Sequence, residues 1–384
     1  MARVRARGED QGVKQETRPV PLSGPYLDER EEALVLEVLR SGRLSLGPTI
    51  DRFEEAFAEK IGAPYAAAVS SGTGGLNLLC VLAGIEAGDE VITTPYSFAA
   101  SANCFIYEGG VPVFADVDPR TLNMDPRAVE AAVTERTKAI VAVDIFGYPC
   151  ELDELRAIAD KHGLALIQDS CEALGAEYKA SQVGSHGPSA VFAFYPNKQI
   201  TTGEGGMVTT HSEDEWRVLR SLRNQGRGDS GGWLEHVRLG YNYRLDDLSA
   251  AIGLGQLDKL EEILTLRSSV AERYNELLAG LDGVEVPCAD DADHRRSWFV
   301  YVIALPDNDA RERVIANFER EGIGYNRYLP SIHLQPYIRE RYGFREGMCP
   351  VSEDASARTL ALPFFTALER DAQERVAEAL ASAL

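Results

Sequence analysis

The chain has 384 residues, 45% of them hydrophobic and 26% charged, with a formal net charge of −21. That length is long for one compact core and implies two domains of a soluble globular protein. The acidic balance excludes nucleic-acid binding and docking on anionic membranes, which both need basic patches, and no apolar run is long enough to cross a bilayer.

Residues 1–17 are polar, charged and glycine-containing, and are read as a disordered tail without the apolar stretch of a signal peptide. Residues 27–40 carry apolar positions at helical spacing. Residues 50–61 read as an amphipathic helix with Phe53, Phe57 and Ile61 on one face. Next, 66–69 is an apolar strand, Ser70-Ser71-Gly72-Thr73-Gly74-Gly75 is a turn, and 76–82 is a helix. A glycine-rich turn opening a helix presents backbone N–H groups and the positive end of the helix dipole, which suits a phosphate. The turn fits neither the Walker A pattern nor Gly-x-Gly-x-x-Gly.

Strands follow at 91–93, 111–114, 139–143 and 164–167, mostly separated by helical stretches. The alternation predicts an α/β fold with a mostly parallel sheet flanked by helices. Asp116 and Asp118 read as a turn after a strand rather than as a glycosidase pair. Asp169 lies just past the strand 164–167, where open α/β sheets place ligands; it either caps the next turn or binds a protonated ring nitrogen.

Lys198 stands in a short loop between the apolar run ending Ala193-Phe194-Tyr195-Pro196-Asn197 and the turn Gly203-Glu204-Gly205-Gly206. It is either a solvated loop lysine or an amine held between buried strands, where desolvation penalises the ammonium form. An amine in the second state forms Schiff bases with carbonyl compounds. Residues 250–266 read as one long helix leaving the first domain, 298–303 as a strand and 310–321 as a helix of a smaller α+β domain. The expected division is 18–265 for the large domain and 266–384 for the small one.

Cysteines 80, 104, 150, 171, 288 and 349 include no Cys-x-x-Cys pair, and the six histidines no His-Glu-x-x-His spacing. This pattern suits reduced thiols in a cytoplasmic enzyme and gives no metal site.

Taken in order, Ser71-Gly72-Thr73, Pro95-Tyr96-Ser97-Phe98, the segment 169–175, the Lys198 loop, Leu239-Gly240-Tyr241-Asn242-Tyr243-Arg244 and the weaker Ile332-His333-Leu334-Gln335-Pro336-Tyr337 resemble the DegT/StrS-type sugar aminotransferases, which depend on pyridoxal 5′-phosphate (PLP). The resemblance runs from about Pro21 to the C-terminus and implies the type I PLP aminotransferase fold. It implies that Lys198 carries PLP and shuttles the substrate proton, and that Asp169 binds the pyridine nitrogen. It further implies that Phe98 stacks on the ring, that Gly72 and Thr73 hold the phosphate, and that Asn242 reaches the cofactor of a second subunit in a homodimer. Phe98 read alone fits core packing equally well, and Asn242 read alone is a turn residue.

Two positions depart from the pattern. Ala193 stands where relatives commonly have a phosphate-binding Ser, so one phosphate hydrogen bond is lost or replaced. Glu172 stands where Gln or His often lies over the cofactor, and there it hydrogen-bonds the cofactor or a substrate hydroxyl, or shifts a local pKa. His333 is a candidate sugar contact, although a single histidine of this kind more often has a structural role. The expected reaction moves an amino group from glutamate, released as 2-oxoglutarate, to a nucleotide-linked keto sugar by a ping-pong scheme. Within that family, Ile200-Thr201-Thr202-Gly203-Glu204-Gly205-Gly206 resembles the members that aminate C4 of 4-keto-6-deoxy sugars, which implies C4 of a 4-keto-6-deoxyhexose; C3 amination or a cyclitol acceptor is the alternative. A regulator that binds PLP or a sugar nucleotide without turnover is the reading from another class.

Overall fold

The computed structural model describes residues 18–228 and 235–384; the tail expected over 1–17 lies outside the described residues. The principal sheet has seven strands: β1 (Tyr65–Val69), β2 (Glu90–Thr93), β3 (Val111–Phe114), β4 (Thr137–Val143), β5 (Ala165–Asp169), β6 (Ser189–Ala193) and β7 (Gly206–Thr210). Their order is β1-β7-β6-β5-β4-β2-β3. Pairing is parallel from β3 through β6, and β7 runs antiparallel to both of its neighbours. This is the mostly parallel, helix-flanked sheet that the alternation implied.

Both faces of the sheet are covered, which explains why its strands read as continuous apolar runs rather than as alternating ones. Ala66, Ala68, Ala190 and Phe192 point to one side, against Phe53 and Phe57 of the helix Pro48–Ile61. Ala67, Val69, Val191 and Val208 point to the other, against Leu76, Leu78 and Leu79. The alternation follows from the two-residue repeat of a strand. Phe57 meets Phe192 and Phe194 at ring distances of 5.2 and 5.7 Å. Each fully buried phenyl contributes ~1.5–3 kcal/mol of apolar transfer. Asp247, fully buried, caps the helix Pro48–Ile61 from 200 residues away, accepting the N–H groups of Gly47 and Thr49 at 2.8 and 3.0 Å.

A second core gathers around the antiparallel pair β8 (Tyr301–Ala304) and β9 (Thr359–Leu362), covered by the helices Asn308–Glu321 and Arg370–Ala381. Val20 belongs to it: its N–H bonds Gly322 O, and its carbonyl accepts the Gly324 N–H. The helix Leu260–Leu278 joins the two cores. Leu260 and Ile263 lie in the first, and Val270, Ala271 and Tyr274 in the second, so position 265/266 falls inside a continuous helix.

Two elements differ from expectation. The single helix expected over 250–266 is two helices, Asp247–Asp258 and Leu260–Leu278, separated at Lys259. The break turns the fully buried Lys259 ammonium onto Glu31 at 2.9 Å and Asp28 at 3.1 Å, a pairing that burial of a charge demands. The strand expected from 298 begins only at Tyr301. Trp298 sits at φ +36°, and the Arg267 guanidinium takes the carbonyls of Trp298 and Phe299 that a strand partner would otherwise use.

Candidate active site

The glycine turn, Asp169 and the Lys198 loop meet where β5 and β6 end. Ser71 caps the helix Gly72–Leu82: its hydroxyl accepts the Gly74 N–H at 3.1 Å and its carbonyl the Gly75 N–H. Helices leave their first N–H groups without intrahelical acceptors. With Ser71 taking the Gly74 and Gly75 N–H groups, those of Gly72 and Thr73 come ahead of them in the first helical turn, where the helix itself supplies no acceptor. Close packing explains the glycines. A Cβ on Gly72 would stand 2.7 Å from Cys171 Sγ and 2.8 Å from Ala193 Cβ, and one on Gly206 would stand 2.8 Å from Ser71 C and 2.9 Å from Gly72 N. The last glycine of Gly-Glu-Gly-Gly is therefore required by the turn it packs against, and Ala193 faces that same turn. Thr73 is half-buried in the first helical turn. Burial lifts the Cys171 thiol well above its ordinary range, as befits a packing group.

Asp169 is the last residue of β5 rather than a residue beyond it, and is only 5% exposed. Its Oδ2 accepts the Ser101 hydroxyl at 2.7 Å and its Oδ1 the Cys171 N–H at 3.2 Å. A carboxylate has about four acceptor directions, so this one can still take a strong donor from the site. Next to it, Asp144 at the end of β4 accepts the Ser170 hydroxyl at 2.7 Å, Gln168 Nε2 at 3.0 Å and the Cys150 N–H at 2.9 Å. Full burial raises the Asp144 carboxyl to about 6 against these bonds.

The Lys198 side chain is 13% exposed, which removes the solvated-lysine reading. Its Nζ lies 3.5 Å from Glu172 Oε1 and 3.9 Å from the centre of the Phe299 ring. Glu172 is itself buried, and its Oε2 accepts the Phe146 N–H at 2.9 Å. Burial raises the Glu172 carboxyl, and the Lys198 ammonium opposes that rise. Gln199 ties the backbone here, donating to Glu172 O at 2.6 Å and to Ser297 Oγ at 3.0 Å. The Arg267 guanidinium, buried with no carboxylate partner among the described residues and pushed down to about 10 by desolvation, donates to the carbonyls of Asn197, Trp298 and Phe299.

The other candidates lie as follows. Phe98 is 67% exposed, so core packing does not account for it. Asn242 is exposed, and its backbone bridges Asn224 rather than forming a free turn. His333 is not brought to the Lys198 group. Its ring is fully buried, bonds Glu353 Oε1 at 3.0 Å and rests near Phe114 and Phe344. A side chain with no exposed surface offers no face to a sugar, so the structural role is the one the geometry gives His333. Asp116 caps the helix Pro350–Arg358 through the N–H groups of Val351 and Ser352, and Asp118 takes those of Arg120 and Thr121, which is turn chemistry.

Sequence reading missed Ser101, Phe299, Gln199, Ser297 and Arg267. Their partners lie 27 to 101 residues away, and no local spacing marks them. Only Ser101, four residues after Ser97 and hydrogen-bonded to it at 2.8 Å, carried a local hint, a hydroxyl pair one helical turn apart. Among the described residues, no group of three His, Cys, Asp or Glu side chains is placed to hold a metal, and no helix is long and apolar enough to cross a membrane.

The family model of the DegT/DnrJ/EryC1/StrS aminotransferases matches residues 25–381. The chain is 37% identical over 382 residues to SpsC of Bacillus subtilis (strain 168), a spore coat polysaccharide biosynthesis protein, covering 96% of this chain and 98% of that one. It superposes on S. venezuelae DesV with a TM-score of 0.88 at 32% identity, covering 94% of this chain and 98% of that one. It superposes on the PLP-form of Spr1654 from Streptococcus pneumoniae with a TM-score of 0.91 at 26% identity, covering 95% and 98%. The chain thus belongs to the DegT/DnrJ/EryC1/StrS aminotransferase family and is a PLP-dependent aminotransferase of the type I fold.

Proposed function

We propose that the enzyme moves an amino group from glutamate to C4 of a nucleotide-linked 4-keto-6-deoxyhexose, with the two substrates alternating at one site. The observation that carries this reading is the convergence of a lysine only 13% exposed, a buried carboxylate and a glycine-rich helix N-terminus at the ends of β5 and β6. The residues present fit the cofactor. The crowding at Gly72 and Gly206 leaves backbone rather than side chains at the turn, which suits a phosphate, and Asp169 retains acceptor capacity for a protonated ring nitrogen. Bound PLP supplies a carbonyl that captures amines and a ring that withdraws electrons from the substrate carbon.

In this reading Gly72 and Thr73 hold the phosphate through backbone N–H groups, and Ala193 leaves that turn one hydroxyl poorer than Ser would. Asp169 keeps the ring nitrogen protonated, and Ser101 fixes the carboxylate that does so. Phe98 covers one ring face. Glu172 lies beside Lys198, whose Nζ takes the proton from the substrate carbon and returns one on the far side of the transfer. Glutamate leaves as 2-oxoglutarate before the keto sugar enters. The exposure of Asn242 supports its reaching a neighbouring subunit's phosphate, which makes the working unit a homodimer with shared sites. Likeness to a polysaccharide biosynthesis protein supports a carbohydrate acceptor, and the Gly-Glu-Gly-Gly loop supports C4.

A panel of keto sugar nucleotides with glutamate, read by mass and NMR, tests the assignment. Amination at C4 of a 4-keto-6-deoxy sugar is expected. Turnover only of a 3-keto sugar or a cyclitol ketone overturns the regiochemistry. PLP binding with no glutamate-dependent spectral change indicates a binding protein without turnover.

A further inference from the structure

We propose that Glu172 is the fixed counter-charge of the Lys198 ammonium, holding Nζ beside the site whenever that amine is free and protonated. The proposal rests on the reading of Lys198 as the cofactor lysine. An aminotransferase lysine alternates between a covalently engaged nitrogen and a free amine, and a free ammonium in a desolvated site needs a fixed counter-charge.

Glu172 is placed for that task. Its Oε1 faces Nζ at 3.5 Å, and both side chains are nearly removed from water, 11% and 13% exposed. Its Oε2 is occupied by the Phe146 N–H, so the carboxylate cannot swing away toward another group. Phe146 presents that N–H from a backbone at φ +54°, a conformation non-glycine residues rarely take. The Glu172 carbonyl is pinned by Gln199, the residue after the lysine, so acid and amine are tied to one short piece of backbone. The Phe299 ring floors Nζ on another side at 3.9 Å and limits where the amine can go.

The titratable groups that act on Glu172 are Lys198, Asp169, Cys171, Tyr96 and Tyr328. Of these, only Lys198 is cationic. It is therefore the one cation among them that favours the Glu172 carboxylate over its buried neutral form. The position where relatives commonly have neutral Gln or His thus carries the counter-charge of the lysine.

The test uses the full-length chain freed of PLP. Competitive labelling with isotope-coded acetic anhydride across pH, read on the Lys198 peptide by mass spectrometry, gives the half-titration of Nζ. Glu172→Gln keeps the shape and an acceptor for the Phe146 N–H but removes the charge. It is expected to move the half-titration down by about 1–3 pH units, the scale of an opposite charge at this range. Glu172→Asp, which keeps a carboxylate one methylene further back, is expected to fall between the two. An unchanged titration in Glu172→Gln, or identical titrations in the Gln and Asp variants, overturns the proposal. Should the Gln variant not fold, the Asp variant decides alone: a downward shift supports the proposal and no shift contradicts it. PLP found on a different lysine would defeat the cofactor assignment and leave the labelling result standing, so the two failures are distinguishable.

Discussion

Gly72→Ala probes the phosphate turn most sharply, because the structure states what the added methyl would meet. Its Cβ would lie 2.7 Å from Cys171 Sγ and 2.8 Å from Ala193 Cβ, and the next contact is the Ala193 backbone at 3.6 Å. Non-bonded carbons rest at ~3.5–4.0 Å, so both contacts are about 1 Å too short. Neither neighbour can retreat easily: Cys171 is packed beside Asp169, and Ala193 ends a buried strand paired with Gly206. Overpacking of this kind costs ~1–3 kcal/mol. If the strain is relieved by displacing the turn, it is felt where the phosphate binds. The PLP dissociation constant should then rise roughly 5- to 150-fold, at about 1.4 kcal/mol per decade. Equilibrium titration of the stripped enzyme with PLP, followed by absorbance and by quenching of tryptophan fluorescence, measures the change, and far-UV circular dichroism checks the fold. Ala193→Gly added to Gly72→Ala removes one of the two clashes and should recover part of the affinity. A lowered melting temperature with PLP affinity unchanged would refute the reasoning, because the turn would then be structural only.

Asp169→Asn should lower the transamination rate far more than PLP affinity, since the phosphate anchor remains while electron withdrawal fails; a loss of affinity alone contradicts the role. Asn242→Ala should weaken PLP retention, and mixed dimers of this variant with Lys198→Ala should regain at most part of the wild-type rate; full independence of the subunits contradicts a shared site. For stability, burial lifts Asp144 from 3.8 to about 6, so the folded state binds its proton more tightly than the unfolded state. That contribution is fully present below pH ~4 and is lost as pH rises through ~6, amounting to about 3 kcal/mol. Asp144→Asn should therefore flatten the fall in unfolding free energy between pH 4 and 6, measured by urea titration at several pH values; an unaltered slope argues against it.

Much of this arrangement was legible because short-range physics wrote it locally. The turn from Ser70 to Gly75 announces itself by glycines before an apolar helix. Gly206 proved to be needed for contact with Ser71 and Gly72. Phe53, Phe57 and Ile61 share the buried face that their spacing implied. What was not legible depends on partners remote in sequence. The break at Lys259 follows from carboxylates 228 and 231 residues away, at Glu31 and Asp28. The delayed start of β8 follows from Arg267 taking the carbonyls of Trp298 and Phe299. Likewise His333, whose position in a motif drew attention to it, is enclosed by Phe114, Phe344 and Glu353, which no local pattern reveals.

The central claim is that one largely enclosed nitrogen, Nζ of Lys198, captures the cofactor. Borohydride reduction of the PLP-loaded enzyme, followed by digestion and peptide mass spectrometry, tests it directly. The added mass of the reduced cofactor is expected on Lys198 and is expected to be absent from the Lys198→Ala variant. Its recovery on another lysine, or on none, would contradict the account.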